Sequence, residues 1–291
     1  MQTQCSQAPT AQLQVVFKNI LLATDFSDAS QVALRYAATL GGLYHSKVFI
    51  VHIVNHAKPV PANSLTSHSH AEQAMSAFLA GLPLAGLKYE VLIETGDTSQ
   101  VISDLVEKYA VDLVVAGTHE RRGGARLLLG STAERIFRAV SCPVLATGPD
   151  VDRDRPTKGE IKEIVYGTDL SAASAHAWPY VLSVAGVSCA HLTLVHMLSD
   201  EIPSYAREGT EVSFQEQFKR MMPGNTRISS DAVVRFGEPA AGMLEVARER
   251  DANLIIIGVP AQVSWSTAHL PWAVAHQVVC HSPCPVLTVR G

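Results

Sequence analysis

The chain says the same thing twice, and that duplication restricts its possible folds more than any other feature. Asn19-Ile20-Leu21-Leu22-Ala23-Thr24-Asp25-Phe26-Ser27 returns as Glu163-Ile164-Val165-Tyr166-Gly167-Thr168-Asp169-Leu170-Ser171, and Val48-Phe49-Ile50-Val51-His52 returns as Leu192-Thr193-Leu194-Val195-His196. Asp25 and Asp169 stand 144 residues apart, as do His52 and His196. Val111-Asp112-Leu113-Val114-Val115-Ala116-Gly117 is answered by Ala252-Asn253-Leu254-Ile255-Ile256-Ile257-Gly258, and Cys142-Pro143-Val144-Leu145 by Cys284-Pro285-Val286-Leu287. Four ordered matches at nearly constant spacing mean a domain copied in tandem. The 291 residues accommodate two domains of ordinary size. The reading is a disordered lead at 1–16, domains at 17–148 and 162–291, and a linker at 149–161 that is charged and bracketed by Pro149 and Pro156.

Within each copy the apolar runs are short, continuous and rich in Val, Ile and Leu, as in strands buried on both faces of a parallel sheet. In the first copy strands are expected near 19–24, 47–54, 88–94, 112–117 and 143–147, and helices near 28–42, 69–81, 98–109 and 131–140. Alternating strand and helix gives an α/β fold: two doubly wound, parallel five-stranded sheets in tandem, Rossmann-like. Ligands of such sheets sit beyond the carboxyl ends of the strands, at the switch point. Asp25, His52 and Gly117 fall there.

After the fourth strand comes a loop from Gly117 to Gly130 that leads into Ser131-Thr132 and a helix. Glycines at both ends let backbone N–H groups approach an anion, and the helix N-terminus adds positive potential. Taken singly, Asp25 and Ser131 are equally well read as helix caps. The spacing is similar to that of the universal stress protein family, whose nucleotide-binding members carry Gly-x2-Gly-x9-Gly-Ser/Thr at this place. The aspartate ending strand one and the His52-Ile53 pair ending strand two resemble the family too, and the likeness runs from Lys18 through both copies.

That resemblance implies strand order 3-2-1-4-5 and an ATP or related adenine-nucleotide site in the first domain, with Mg²⁺ as an accompanying ion. Asp25, flanked by Ala23 and Thr24, would contact the adenosine moiety, and Ile53 would present backbone to adenine. Ala116 and Gly117 end the fourth strand beside them; Gly117, His119, Gly130, Ser131 and Thr132 would line the phosphates. Glu120 stands where the motif has its second glycine. Its carboxylate repels phosphate unless Arg121, Arg122, Arg126 or Mg²⁺ compensates. In the second copy the loop after Gly258 has no second glycine, and Pro271-Trp272 replaces Gly130-Ser131. Proline offers phosphate no N–H, so the cradle is expected to be lost there.

The functional reading is a stress-response regulatory protein rather than an enzyme. The alternatives are a slow ATPase, for which only His119 and Glu120 are local candidates, and an interaction module with both sites vestigial. No Ser-His-Asp order, paired carboxylates or P-loop lysine appears along the chain. Net charge is −4, so no positive field draws in nucleic acid or an anionic membrane. The five cysteines are odd in number and scattered, and the start lacks the order of a signal peptide, so a cytoplasmic setting is expected. His68 and His70 with Glu72 are a weak metal pattern at the end of a stretch, 59–69, that reads as loop.

Two segments, 170–199 and 252–289, contain no Asp, Glu, Lys or Arg. The first is interrupted by Pro179, Gly186 and histidines and reads as helix plus buried strand, not a membrane span. The second suggests a contact surface, for homodimerisation or an apolar ligand. The fifth strand of each copy lacks the charges that blunt open edges. The two are therefore expected to face each other in an intramolecular pseudo-dimer.

Overall fold

The computed structural model describes residues 15–54, 64–80, 84, 86–118, 131–151, 160–224, 227–261 and 271–291. The first copy forms β1 (Asn19–Ala23), α1 (Asp28–Tyr44), β2 (Lys47–Val54), α2 (Ser64–Leu79), β3 (Lys88–Thr95), α3 (Thr98–Lys108), β4 (Leu113–Gly117), α4 (Ser131–Ala139) and β5 (Val144–Thr147). The second repeats it as β6 (Glu163–Gly167), α5 (Ala172–Ser188), β7 (His191–Leu198), α6 (Ser204–Met221), β8 (Ser230–Phe236), α7 (Pro239–Glu249), β9 (Leu254–Val259), α8 (Pro271–His281) and β10 (Val286–Arg290).

The strands form one sheet of ten rather than two separate sheets of five, in the order β3-β2-β1-β4-β5-β10-β9-β6-β7-β8. Each half has the order 3-2-1-4-5. All neighbours are parallel except β5 and β10, which pair antiparallel with Leu145 opposite Leu287. The apolar fifth strands thus cover each other. The open edges fall to β3 and β8, which carry Lys88, Glu90 and Glu94 or Asp231 and Arg235, the kind of charge that discourages further pairing.

Strand alternation divides the interior into two layers, one per face. Ile20, Leu22, Leu113, Val115, Leu145, Ile164, Tyr166 and Leu287 point toward α1, α2, α5 and α6. Leu21, Val114, Ala116, Val144, Val165, Ile255 and Val286 point toward α3, α4, α7 and α8. Both layers run unbroken across the seam. There Tyr36 of α1 donates its hydroxyl to the Asn253 carbonyl at 3.0 Å, and the Tyr44 hydroxyl lies 2.8 Å from Ser183 Oγ. Ser183 Oγ donates to the Val15 carbonyl, and the fully buried Phe17 lies against Tyr44 and Tyr180.

Several expectations change. Val15 of the expected lead packs against the core beside Phe17, the first residue of the first domain. The linker's flanks, Val151 and Ile161, are buried as well; residues 152–159 lie outside the described chain. α2 starts at Ser64, inside the stretch read as loop. Its buried Ala71, Met75 and Phe78 recur at helical spacing, while the turns before them are polar and mask the periodicity. The uncharged segment 170–199 is α5 with β7; α5 lacks charge because its sides meet the sheet and α1. Among the described residues no helix is long and apolar enough to cross a membrane. The uncharged segment 252–289 contains β9 and β10, central strands of the joined sheet, and α8 buries Ala275, Val278 and Val279 against them. Internal burial therefore accounts for much of the missing charge.

Candidate functional site

At the carboxyl ends of β1 and β4 the sheet switches direction, and of the expected residues Ala23, Thr24, Asp25, Ile53, Ala116 and Gly117 lie at or just beyond the strand ends there. Ala23 pairs with Ala116, so these small side chains stand side by side at the mouth of the crevice. β2 runs on past Val51, the partner of Ala23, and brings the half-buried Ile53 to the same rim. Thr24 is buried; its N–H donates to the Val51 carbonyl at 2.9 Å.

Asp25 opens the turn into α1. Its Oδ1 accepts from Ser27 N–H at 3.2 Å, Ser27 Oγ at 2.5 Å and Ser30 Oγ at 2.7 Å. Ser27 in turn caps α1, accepting from Ser30 N–H at 3.2 Å. Asp25 is therefore one step from the cap that the capping interpretation would make it: it orients the capping serine while remaining at the exposed rim. Phe26 between them sits at φ 65°, a left-handed conformation that costs a bulky residue about 1–3 kcal/mol. The Thr24 hydroxyl offsets part of this by accepting from Phe26 N–H at 3.0 Å. His52 donates Nδ1–H to the Thr24 carbonyl at 2.9 Å and stacks on Phe26 at 4.1 Å. It serves to lock β2 to the β1 turn.

The second half repeats this arrangement with different filling. Asp169 accepts from Ser171 N–H at 2.9 Å and from Ser174 Oγ; Leu170 has φ 62°; His196 donates Nδ1–H to the Thr168 carbonyl at 2.7 Å. The ring stacked on His196 is Phe214 of α6, at 4.1 Å, instead of one from the turn. Partial burial resists ionisation of Asp169, but the Ser171 and Ser174 hydrogen bonds outweigh it and hold the carboxyl below its ordinary range. The sequence reading missed Ser30 and Ser174. The repeat Asp-x-Ser-x2-Ser, at Asp25 and again at Asp169, contains the signal.

Gly117 has a requirement that the phosphate argument did not include. A β-carbon there would lie 2.7 Å from the Ala29 carbonyl carbon and 2.7 Å from Ser30 N. The end of β4 must be glycine for α1 to pack. Gly258 meets the same constraint more tightly, 2.2 Å from the Ala173 oxygen, although its loop lacks the remaining glycines. His119, Glu120 and Gly130 lie outside the described residues. Ser131 and Thr132 open α4, which places a helix N-terminus directly after the loop; α8 opens at Pro271 instead. His68 of α2 sits 3.6 Å from Glu72 one turn on, and among the described residues no three His, Cys, Asp or Glu side chains form a metal-binding group.

Comparison with known proteins agrees with the duplication. The model of the universal stress protein family matches residues 17–148 and again 160–290. Universal stress protein MJ0531 of Methanocaldococcus jannaschii is 31% identical over 138 residues, covering 45% of this chain and 81% of its own length. Universal stress protein A homolog 1 of Coxiella burnetii is 29% identical over 140 residues, 45% of this chain and 95% of its own. A crystal structure of a universal stress protein from Archaeoglobus fulgidus aligns over 94% of this chain and 98% of its own, with TM-score 0.69 and 20% identity. It shares the fold across both halves.

Proposed function

Since the chain belongs to the universal stress protein family, we propose that it is a cytoplasmic stress-response regulator that binds ATP, or a related adenine nucleotide, in its first half only. The observation that carries this reading is the asymmetry between otherwise matching crevices. Both keep the aspartate turn, but only the first is followed by Gly130-Ser131-Thr132 at a helix start, whereas the second has proline. Backbone N–H groups at a helix N-terminus suit phosphate, and proline removes one of them.

In this reading Asp25 meets the adenosine moiety and the Ile53 backbone meets adenine. Ala23, Thr24 and Ala116 shape the floor, and Gly117, His119, Gly130, Ser131 and Thr132 border the phosphates. Glu120 lies near them, where Mg²⁺ would relieve its repulsion. No hydrolytic role is assigned. The second half serves the internal pairing of the two copies. Mass spectrometry of the supernatant from denatured protein should find an adenine nucleotide, and calorimetry should show one ATP site, lost in Gly130→Asp. Binding that survives Gly130→Asp would overturn the assignment.

A further inference from the structure

At the opposite end of the sheet, away from either crevice, five polar side chains meet where β7, β8 and the end of α7 approach one another. His191 Nδ1 lies 2.9 Å from Ser229 Oγ, and His191 Nε2 lies 3.3 Å from Asp231 Oδ1. Thr193 Oγ1 donates to Asp231 Oδ1 at 2.9 Å, and Arg250 holds Asp231 Oδ2 at 2.5 Å. Asp231 is thus fixed from both sides. With Nε2–H donated to this carboxylate, Nδ1 keeps its lone pair toward the Ser229 hydroxyl. Ser229, just ahead of β8, is exposed. The amino-acid order conceals this relay because its members come from adjacent strands.

The duplication supplies an internal comparison. The equivalent clasp between β2 and β3 is an ordinary ion pair, Lys47 to Glu90 at 2.7 Å. The fold therefore needs only a charge pair at this position. The second half has instead an imidazole within hydrogen-bond reach of both an orienting carboxylate and a hydroxyl, the spatial relation that activates a nucleophilic serine.

We propose that Ser229 is an activated nucleophile that accepts acyl groups from activated esters, with His191 as general base and Asp231 as the positioning residue. Ser229 Oγ attacks the ester carbonyl while its proton passes to His191 Nδ1. The bond to the leaving oxygen breaks, and that oxygen departs with the proton from His191. The products are an ester on Ser229 and the free alcohol, with no oxidant or cofactor consumed. Arg250 shares the Asp231 charge, which limits the help given to a protonated His191. The expected donors are therefore activated esters rather than amides.

The test is exposure of the full chain to p-nitrophenyl acetate with peptide mass mapping over time. One acetyl group should accumulate on Ser229; Ser229 and Asp231 are the groups within hydrogen-bond distance of the His191 ring. His191→Lys recreates the Lys47–Glu90 type of clasp and should keep the fold while removing the base, slowing Ser229 acetylation by about 100-fold. Absence of label at Ser229 in the native chain, or equal labelling in folded His191→Lys, would overturn the proposal.

Discussion

Replacing Gly258 by alanine tests whether packing alone demands glycine at the end of each fourth strand. The added β-carbon would lie 2.2 Å from the Ala173 carbonyl oxygen and 2.5 Å from its carbon. Those atoms are backbone in the first turn of α5, so no rotamer change relieves the contact. Helix α5 must shift from β9, disturbing the layer over the seam. Overpacking of this kind costs about 1–3 kcal/mol, and 1 kcal/mol lowers Tm by about 2–4 °C in domains of roughly this size. A loss of about 5 °C or more is expected for Gly258→Ala. Gly117→Ala, with closest approaches of 2.7 Å, should lose somewhat less. At Gly42 and Gly186, counterparts in α1 and α5, a β-carbon would meet no packing neighbour within 4 Å among the described residues. Their alanine variants should gain about 0.5–1 kcal/mol each from helix propensity. Thermal melts of ligand-free protein measure all four. If Gly117→Ala and Gly258→Ala melt with the parent, the close-approach argument is wrong, and nucleotide binding would be the remaining reason for Gly117.

Three further outcomes are expected. Asp112 accepts backbone N–H bonds from Lys18 and Asn19, yet burial outweighs them and raises its carboxyl above the ordinary range. A raised carboxyl favours the folded state most at acid pH, below its unfolded pKa, and loses that contribution as pH rises through the folded value. Asp112→Asn, matching Asn253 in the second half, should therefore raise Tm near neutral pH and flatten its acid-range slope; a drop in Tm at pH 7 would contradict this. Asp169 runs the other way: lowered by its serines, it stabilises above its unfolded pKa and loses that contribution as pH falls through the folded value. Asp169→Ala should cost about 1 kcal/mol at pH 7 in urea titrations, a loss that shrinks in acid. Finally, a chain ending at residue 150 exposes β5 and should sediment as a dimer; a stable folded monomer would show that this edge needs no cover.

The fold was legible because buried parallel strands have little freedom in sequence. Ile20-Leu21-Leu22 and Leu254-Ile255-Ile256-Ile257 must satisfy two apolar layers, and the repeat fixed their order. α2 was legible only in its second half, since Ala71, Met75 and Phe78 reach the core while His68, Ser69 and His70 just before them are exposed. The ends of the lead and linker were less legible for a related reason. Val15 packs against the core and Ile161 is buried, as is Phe17 144 residues before it, but a single apolar side chain beside a polar stretch carries no period. At the crevice the aspartate turn was visible as residues and invisible as a network, because its function depends on Ser27 and Ser30 hydroxyl directions. Gly117 showed the reverse: its identity was noticed, and the constraint behind it lay in α1, 88 residues earlier.

Joining two copies through β5 and β10 has a consequence for divergence. A dimer of identical subunits must change both crevices at once, because one gene supplies both. Here the seam is held by pairs that have already separated in chemistry. Tyr36 donates to the Asn253 carbonyl on one side, while its counterpart Tyr180 lies against the Phe17 ring on the other. The shared layers on both faces keep the halves in register, so the second crevice could replace its glycine loop with proline without loosening the first. The same freedom acted at the distant sheet edge, where Lys47–Glu90 kept its simple pairing and His191 acquired Ser229, Asp231 and Arg250. The duplicated fold supplies the common geometry; the differences between copies are where function should be sought.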